Sequence, residues 1–331
     1  MWYEKLIDYG LIPEVILRMI IRLQINNRIS LSDTNTNIVE LFSKGEISTH
    51  SNDANMQHYE IPVDFFNMIL GAMMKYSSGL ILNPNDNLNQ LELNMLDIVS
   101  KRANLSNNQN VLDLGCGWGS SSLYYADLFP KSQFTAVSNS QFQKEYIEQE
   151  ITTKQLSNVK VIRSDINDLD FVDKFDRIIS IEMFEHMKNW TKLLNKIEQW
   201  LHPNGRLFVH YFCHKDNFYR FEQNSNSWME KYFFSGGSMP NLNIFYDIKS
   251  PFIVENLWSE SGCNYSRTLE LWLEKLKSNK NSILNINLND SNLNSKVFYN
   301  RWMVFILACS ELFNYNKGNE YLIGHALLKR N

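Results

Sequence analysis

The sequence predicts an α/β fold in which a mostly parallel, doubly wound sheet carries helices on both faces. Between positions 110 and 213, short apolar segments typical of buried strands alternate with helical segments, roughly every ten to fifteen residues. The first of these strands ends in a glycine-rich turn, Gly115 to Gly119, that leads into a helix. Sheets of this kind bind ligands beyond the carboxyl ends of their strands, so we expect the functional residues there.

The first hundred residues are predicted to form a helical cap. The expected elements of this region are helices over residues 1 to about 45, a polar loop over 46–57, a helical segment from about Pro62 and a helix over Leu91–Arg102. In the first of these, apolar residues lie at helical spacing at Ile16, Met19, Ile20 and Leu23. Charged residues interrupt this segment, which favours a helix packed on the body of the protein over a helix on a membrane surface.

The core is predicted over residues 101–213. Its strands are expected at Asn110–Leu114, Gln133–Ser138, Val159–Arg163, Asp176–Ile181 and Arg206–Phe212. Its helices are expected at Ser120–Phe129, Gln141–Leu156 and Trp190–Trp200. Because helices separate consecutive strands, we expect those strands to run parallel.

The alternation of strand and helix breaks after Cys213. Region 214–297 begins rich in aromatic residues and Asn and contains the irregular segment Ser235–Pro240. We expect it to form a substrate lid followed by further core elements. Region 298–331 is expected to close the core. The remaining predicted elements are a surface loop over 278–296, a helix over Tyr299–Leu312 and a strand over Tyr321–Leu328.

The composition excludes several classes of protein. A net charge of −4 gives no reason to expect a nucleic acid as a partner. The four cysteines show no metal-ligand spacing, so no metal site is predicted. The N-terminus lacks the features of a signal peptide, and no apolar segment is long enough for a transmembrane span. We therefore expect a cytoplasmic protein, and the sequence leaves its oligomeric state open, a homodimer included.

The segment Val111–Gly119 predicts where a cofactor binds. Glycine lets the chain turn sharply after a strand and lets backbone N–H groups approach a ligand closely. The spacing is Gly-x-Gly-x-Gly, and Asp113 lies two positions before the first glycine. An amino acid cofactor needs such a carboxylate near its ammonium group, whereas the pyrophosphate of a dinucleotide does not. The segment favours S-adenosylmethionine, with an NAD-type dinucleotide as the alternative.

The ends of the next two strands supply further cofactor contacts. Ser138, Asn139 and Gln143 follow the second core strand, so neutral groups are expected to hold the ribose hydroxyls, which argues against a standard NAD site. Ordinary turn chemistry is the alternative for the first two. Asp165, after the third strand, is placed to accept a hydrogen bond from an adenine amino group; its alternative role is a helix N-cap.

Several motifs in order resemble one family of enzymes. They are the glycine turn, the Ser138–Ser140 turn with Gln143, the runs Phe175–Met187 and His210–Lys215, and Tyr232–Phe234 followed by Gly236, Gly237, Met239 and Pro240. Together they resemble the cyclopropane-fatty-acid-synthase-like methyltransferases and, among these, the coclaurine N-methyltransferase branch. The likeness extends from about Tyr59 to the final strand.

The resemblance implies a Rossmann-like class I methyltransferase with a mostly parallel seven-stranded sheet, an N-terminal helical cap, a lid insertion and S-adenosylmethionine as cofactor. By motif match, it implies this full set of cofactor residues: Tyr76, Ser77, Asp113, Gly115, Gly117, Ser138, Asn139, Gln143, Asp165 and Ile166. Family members often have cysteine where this chain has Ser78, and in lipid-modifying members that cysteine helps to hold a bicarbonate base. Ser78 therefore argues against cyclopropanation.

The catalytic candidates follow the fourth core strand and are Glu182, Glu185 and His186. Methyl transfer from a sulfonium chiefly requires alignment of the nucleophile and exclusion of water. An amine arrives largely protonated at neutral pH, so a base must remove a proton, and a carboxylate beside a histidine suits that task. In coclaurine-type enzymes the matching residues lie at the substrate amine. Helix capping and structural hydrogen bonds are their alternative roles.

Four further residues are weaker substrate candidates, because each is equally suited to the protein core: His210, Tyr232, Phe233 and Tyr299. The leading functional hypothesis is N-methylation of a small amine with an apolar or aromatic body. The alternative is methyl or methylene transfer to a lipid acyl chain, and a third hypothesis is a catalytically silent binding protein. The missing cysteine and the acidic net charge favour the amine.

Overall fold

The computed structural model describes residues 3–30, 37–49, 61–221, 228–234, 236–288 and 294–331. The expected loop beyond residue 49, the start of the family likeness at Tyr59, and Ser235 lie outside the described residues. No helix within these ranges is long and apolar enough to cross a membrane.

The described chain forms strands and helices in the alternation that the sequence predicts. The strands are β1 (Asn110–Leu114), β2 (Gln133–Ser138), β3 (Val159–Arg163), β4 (Phe175–Ile181), β5 (Leu201–His214), β6 (Tyr219–Arg220), β7 (Ser238–Met239), β8 (Phe252–Ser261) and β9 (Tyr321–Arg330). The helices are α1 (Glu4–Asp8), α2 (Glu14–Ser30), α3 (Ile38–Leu41), α4 (Val63–Ile69), α5 (Leu88–Arg102), α6 (Ser120–Leu128), α7 (Gln141–Thr153), α8 (Trp190–Trp200), α9 (Trp228–Tyr232), α10 (Ile244–Asp247), α11 (Cys263–Ser278), α12 (Lys280–Leu284) and α13 (Ser295–Asn314). Short 3₁₀ segments cover Phe184–His186 and Tyr315–Gly318.

Seven strands form one sheet in the order β3-β2-β1-β4-β5-β9-β8. The first five pair in parallel, and β9 and β8 complete the sheet antiparallel. The predicted fold class is confirmed. The strand order reverses between β1 and β4, and in open α/β sheets such a reversal creates a crevice at the carboxyl ends of the strands.

The central strands are short and apolar because helices cover both faces of the sheet. Val111 of β1 packs in one core cluster with residues of α5, including Met95 and Val99. Leu112 packs in another cluster with residues of α8, including Leu193. Because successive side chains of a strand point to opposite faces and both faces are covered, the adjacent residues Val111 and Leu112 are both apolar.

Some elements differ from the predicted ones. β5 extends beyond the predicted Arg206–Phe212 because it pairs with β9 as far as His214. The seventh strand of the sheet is β8, whose position the sequence analysis did not identify. The loop predicted over 278–296 is wrong in part, since α12 occupies Lys280–Leu284. The division into regions 1–100, 101–213, 214–297 and 298–331 stays a prediction.

Helix α2 packs on the body of the protein through a face other than the one its apolar spacing indicates. Leu17, Ile21 and Ile25 are buried in the core cluster that contains α13, whereas Met19 is 58% exposed. Arg18 accounts for this orientation, because its guanidinium donates to carboxylates on α11 and α13. A helix that is apolar around most of its circumference does not reveal by periodicity alone which face is buried.

Candidate active site

A cavity lies at the carboxyl ends of β1, β2, β3 and β4, where the strand order reverses. Its wall contains all ten residues that the sequence analysis expects at the cofactor. They come from the loop before α5, the turn after β1, the β2–α7 connection and the end of β3. Glu182 and His186 lie on the same wall. The structure therefore brings the predicted cofactor residues and two of the three catalytic candidates together.

Two glycines in the turn after β1 serve different purposes. Gly115 and Gly117 have φ values of 80° and 54°, in the left-handed region. A Cβ atom on Gly115 would lie 2.6 Å from Cγ of Met183, whereas a Cβ atom on Gly117 would meet no atom within 4 Å. Gly115 therefore allows Met183 to pack against the turn. Gly117 leaves open space in which a ligand can approach the backbone.

Asp113 places a buried carboxylate on the cavity wall. Its Oδ2 accepts a hydrogen bond from the Ser122 hydroxyl at 2.7 Å. Burial raises the pKa of Asp113 to about 6. An ammonium group beside this carboxylate would lower that pKa again, because a nearby positive charge favours the ionised form.

Two buried donors on the wall lack an acceptor among the described residues. The Ser138 hydroxyl donates to Oε1 of Gln143 at 2.6 Å, which fixes the orientation of that amide. Nε2 of Gln143 then has no partner within the described chain, and neither does Nε1 of Trp118. Buried donors in native proteins are nearly always paired, so these two fit acceptors supplied by a ligand.

Hydrogen bonds from a buried lysine stabilise the loop before α5. Nζ of Lys75 donates to the hydroxyl of Ser77 and, at 2.7 Å, to the carbonyl of Ser78. Burial lowers the pKa of Lys75 to about 8. The neighbouring Tyr76 ring stacks on Trp272 with their centroids 5.5 Å apart. This loop contributes Tyr76 and Ser77 to the cavity wall.

The donor set of the cavity fits a nucleoside that carries an amino acid. Asp113 provides a carboxylate for an ammonium group, and the amide of Gln143 provides a donor for a hydroxyl or carboxylate oxygen. At the end of β3, Oδ1 of Asp165 accepts the N–H of Asn167 at 2.8 Å, so this carboxylate also organises its own turn. The alternative role of Asp165 as a helix N-cap is wrong, because residues 166–168 form a turn and no helix lies between β3 and β4 in the described chain. The expected contact of Asp165 with the adenine stays a prediction.

Glu182 directly follows β4 and is held in a conformation unusual for a residue with a side chain. Its φ is 49°, and its N–H donates to the carbonyl of His210 at 2.8 Å. Oε1 accepts from the Ser78 N–H at 2.9 Å, and Oε2 accepts from the Tyr265 hydroxyl at 2.7 Å. Burial raises the pKa of Glu182, while these donors and the Lys75 ammonium oppose that rise.

Glu185 and His186 are neighbours in a 3₁₀ turn but lie on different sides of it. Glu185 is fully buried, lies off the cavity wall and accepts the N–H of Phe212 at 2.7 Å. Burial raises the pKa of Glu185 well above the usual range. The His186 ring lies on the cavity wall, 4.8 Å from the Phe234 ring. Among the described residues, Glu185 therefore does not line this cavity, and its expected role at the substrate stays a prediction.

None of the four weaker substrate candidates forms part of the cavity wall as the described residues define it. His210 is buried directly behind Glu182. The Tyr232 hydroxyl donates to Glu4 at 2.8 Å. Phe233 stacks on Phe305 at 4.3 Å, and Tyr299 is a buried core residue. The structure shows packing and hydrogen-bond contacts within the protein for these residues, and their expected contacts with a substrate stay a prediction.

The wall also contains residues that are not among the site candidates named from the sequence. Five of them are aromatic: Trp118, Phe212, Phe234, Tyr265 and Phe305. Tyr265 and Phe305 belong to α11 and α13, which reach the cavity from the far end of the chain. Nothing in a single sequence distinguishes these aromatic side chains from those of an ordinary core.

Comparison with known proteins places the chain in a family. Residues 47–321 match the mycolic acid cyclopropane synthetase family. The chain belongs to this family. Within it, the (S)-coclaurine N-methyltransferase of Thalictrum flavum subsp. glaucum is 34% identical over 341 residues, which cover 98% of this chain and 94% of the relative. The (S)-coclaurine N-methyltransferase of Papaver somniferum is 33% identical over 98% of this chain and 96% of the relative.

Solved structures agree with this family assignment. Coclaurine N-methyltransferase bound to N-methylheliamine and S-adenosylhomocysteine (SAH) has a TM-score of 0.94 at 33% identity and covers 99% of this chain and 98% of its own. The cyclopropane synthase MmaA2 of Mycobacterium tuberculosis, with a TM-score of 0.70 at 20% identity over 86% and 99% of the two chains, supports the fold. The predicted S-adenosylmethionine-dependent methyltransferase activity is confirmed.

Proposed function

We propose that this chain transfers the methyl group of S-adenosylmethionine to the nitrogen of a small amine with an apolar or aromatic body. Glu182 carries the proposal. Its side chain is 8% exposed and lies on the cavity wall that also contains His186 and several aromatic side chains. Such a wall attracts a cationic amine and surrounds the rest of the molecule with apolar surface. The N-methylated amine bound by a structure with a similar fold supports the same acceptor class.

Four segments supply the cofactor residues, and each would contact a different part of the cofactor. Asp113 would receive the ammonium group, Ser138 and Gln143 the ribose hydroxyls, and Asp165 and Ile166 the adenine. The remaining contacts would come from Tyr76, Ser77, Gly115, Gly117 and Asn139. When bound, S-adenosylmethionine supplies a methyl group that its sulfonium makes electrophilic.

On the acceptor side, Glu182 and His186 have different tasks. Glu182 attracts the protonated amine and orients its nitrogen, because a desolvated carboxylate interacts strongly with a nearby cation. His186 takes the proton that must leave before the nitrogen becomes nucleophilic. Phe212, Phe234 and Phe305 exclude water from the reacting atoms.

The lipid alternative receives less support from the cavity. Ser78 occupies the position at which the resemblance implies cysteine in many family members. Its hydroxyl donates to the Gly79 carbonyl, and its N–H donates to Glu182. The hydroxyl, the N–H and the carbonyl of Ser78 therefore all bind groups of the protein itself. The carboxylate of Glu182 adds a charge to a wall that a lipid acyl chain would need to be apolar.

The acceptor class is tested by labelled-methyl transfer. The purified chain is incubated with methyl-labelled S-adenosylmethionine and either heliamine, the secondary amine related to the ligand of the similar structure, or vesicles of unsaturated phosphatidylethanolamine. We expect label in N-methylheliamine, identified by mass. Label in the lipid acyl chains with none in the amine would overturn the proposal.

The roles of the residues are tested with a matched pair of variants. Glu182→Gln and Glu185→Gln each replace a buried glutamate by its neutral isostere, but only Glu182 lies on the cavity wall. We expect Glu182→Gln to lower kcat/KM for heliamine by about 10- to 100-fold, the size of a charge-assisted hydrogen bond. Glu185→Gln should stay within about threefold of wild type, since Glu185 lies off the cavity wall and burial raises its pKa well above the usual range. Equal losses in the two variants would contradict the assignment.

A further inference from the structure

A chain of hydrogen bonds connects Glu182 to the edge of the protein. Arg102, at the end of α5, donates from Nη2 to Glu260 at 2.6 Å and from Nη1 to Nδ1 of His325 at 2.7 Å. Nε2 of His325 lies 2.9 Å from Nδ1 of His210. Nε2 of His210 lies 3.1 Å from Oε1 of Glu182. We refer to Arg102, His325 and His210 as the arginine–histidine chain.

The sheet itself fixes the geometry of the arginine–histidine chain. His210 on β5 and His325 on β9 are direct partners in the antiparallel register, and both are fully buried. Trp258 on β8 is the next partner across, and its ring centre lies 5.1 Å from the Arg102 guanidinium carbon. Directly opposite residues on adjacent strands project from the same face of a sheet. These contacts therefore depend on strand register and not on loops.

The arginine sets the direction of every hydrogen bond. A guanidinium group can only donate, so Nδ1 of His325 must accept and the proton of this ring must sit on Nε2. That N–H donates to Nδ1 of His210, which places the proton of His210 on Nε2, facing Glu182. Glu182 therefore receives donors from His210, from the Ser78 backbone and from the Tyr265 hydroxyl.

We propose that Arg102 is a positioning residue for the reaction, which acts through fixed histidine tautomers to hold Glu182 as an acceptor-only anion. This inference rests on the proposed role of Glu182 at the amine. The same polarity prevents the arginine–histidine chain from carrying a proton outwards, because both Nδ1 lone pairs are already occupied. The proton of the amine leaves through His186 instead.

The charges around the pair agree with this polarity. Burial lowers the pKa of His210 and of His325 well below the usual range, and Arg102 and Lys75 act in the same direction. Both rings therefore stay neutral. The titratable groups that face Glu182 are Lys75, Glu185, His186, His210, Tyr265 and Cys309. Among them, His210 is the group that His325 connects to Arg102.

The tautomers can be observed without any substrate. In protein labelled with ¹⁵N-histidine, long-range ¹H–¹⁵N correlation spectra distinguish Nε2-protonated from Nδ1-protonated rings, and His210→Gln and His325→Gln identify the two signals. We expect both rings to be Nε2-protonated and unchanged from about pH 6 to about pH 9. An Nδ1-protonated ring, or a ring that titrates in this range, would overturn the inference. Because no amine is present, this outcome is independent of the proposed function.

The effect on Glu182 is tested by the pH dependence of kcat/KM for heliamine. Arg102→Met removes the fixed donor. We expect the acid limb of the profile to move up by about one pH unit, which is about a tenfold loss of kcat/KM at a given acidic pH. The affinity for SAH should stay within about twofold of wild type. Arg102→Lys should restore the wild-type limb, because an ammonium group also only donates. Glu260→Gln is the control, since it alters the surface partner of Arg102 and keeps the donor to His325. A folded Arg102→Met variant with an unmoved acid limb would refute the positioning role.

Discussion

If the carboxylate of Asp113 binds the cofactor as proposed, the affinity for the cofactor depends on pH by an amount that follows from the pKa of this group. It is buried beside the glycine turn, and its pKa is raised to about 6. If its anion receives the ammonium group of the cofactor, protonation removes that contact. Affinity should therefore be constant at neutral pH and fall as the pH drops through about 6.

The magnitude follows from the fraction of Asp113 that is ionised. With a pKa of about 6, only about one molecule in eleven carries the anion at about pH 5, so SAH should bind about tenfold more weakly there than at about pH 7.5. Asp113→Asn should lose about 10- to 100-fold in affinity at neutral pH and show no such pH dependence.

The same group affects stability with the opposite sign. Because its pKa in the folded chain is above the ordinary value of 3.8, its protonated form stabilises the fold below about pH 4, and that stabilisation is lost as the pH rises through about 6. Asp113→Asn stays neutral and should unfold at a free energy higher by up to about 3 kcal/mol at neutral pH without cofactor. Weaker binding with greater stability is the combination expected of a residue kept for its ligand.

Isothermal titration with SAH at several pH values, on wild type and Asp113→Asn, measures the binding part, and urea unfolding measures the stability part. Both charged groups of the SAH amino acid stay ionised over this range, so the ligand adds no pH dependence of its own. A wild-type Kd that differs by less than twofold between the two pH values would refute the reasoning. So would an equal pH dependence in the Asn variant.

Two other predictions concern the cofactor turn and the N-terminal helix. Gly117→Ala should weaken SAH binding at least tenfold. It should lower the free energy of unfolding by only about 1 kcal/mol, which is the cost of a left-handed alanine. Gly115→Ala should lower the free energy of unfolding by about 2–4 kcal/mol, because its Cβ atom would collide with Met183. SAH binding at wild-type strength by Gly117→Ala would show that the ligand does not approach that backbone. Arg18→Met should lower the free energy of unfolding by about 2 kcal/mol, because the Arg18 side chain is 21% exposed and pairs with three carboxylates, those of Glu14, Glu270 and Glu311. Arg22→Met, at a side chain that is 59% exposed and pairs with Glu311, should cost less than about 1 kcal/mol. Urea unfolding compares them, and equal losses would mean that burial does not set the value of these ion pairs.

The cofactor half of the cavity could be predicted because its residues follow strand ends. Once β1, β2 and β3 are recognised as parallel, Asp113, Ser138 and Asp165 must meet at one edge of the sheet. Backbone geometry, not side-chain packing, brings them together. Short apolar strands and the glycine turn reveal that geometry directly in the sequence.

The acceptor half could be predicted only in part. Glu185 and His186 are adjacent in sequence, but successive residues in a 3₁₀ turn point about 120° apart, so one faces the cavity and the other the core. Tyr265 reaches Glu182 from a helix far along the chain. The pairing of His210 with His325 requires the register of two antiparallel strands. None of these contacts leaves a local pattern.

The loop at Tyr76–Ser78 contributes to both proposed binding sites, the one for the cofactor and the one for the methyl acceptor. Tyr76 and Ser77 line the cavity, and the adjacent Ser78 N–H holds Glu182. A substitution in this loop that is meant to change binding of one ligand will also change binding of the other. Laboratory evolution towards new acceptors is therefore better directed at Phe234 and Phe305. Substitutions at these two aromatic residues change the wall of the cavity and leave the residues proposed to bind the methyl donor in place.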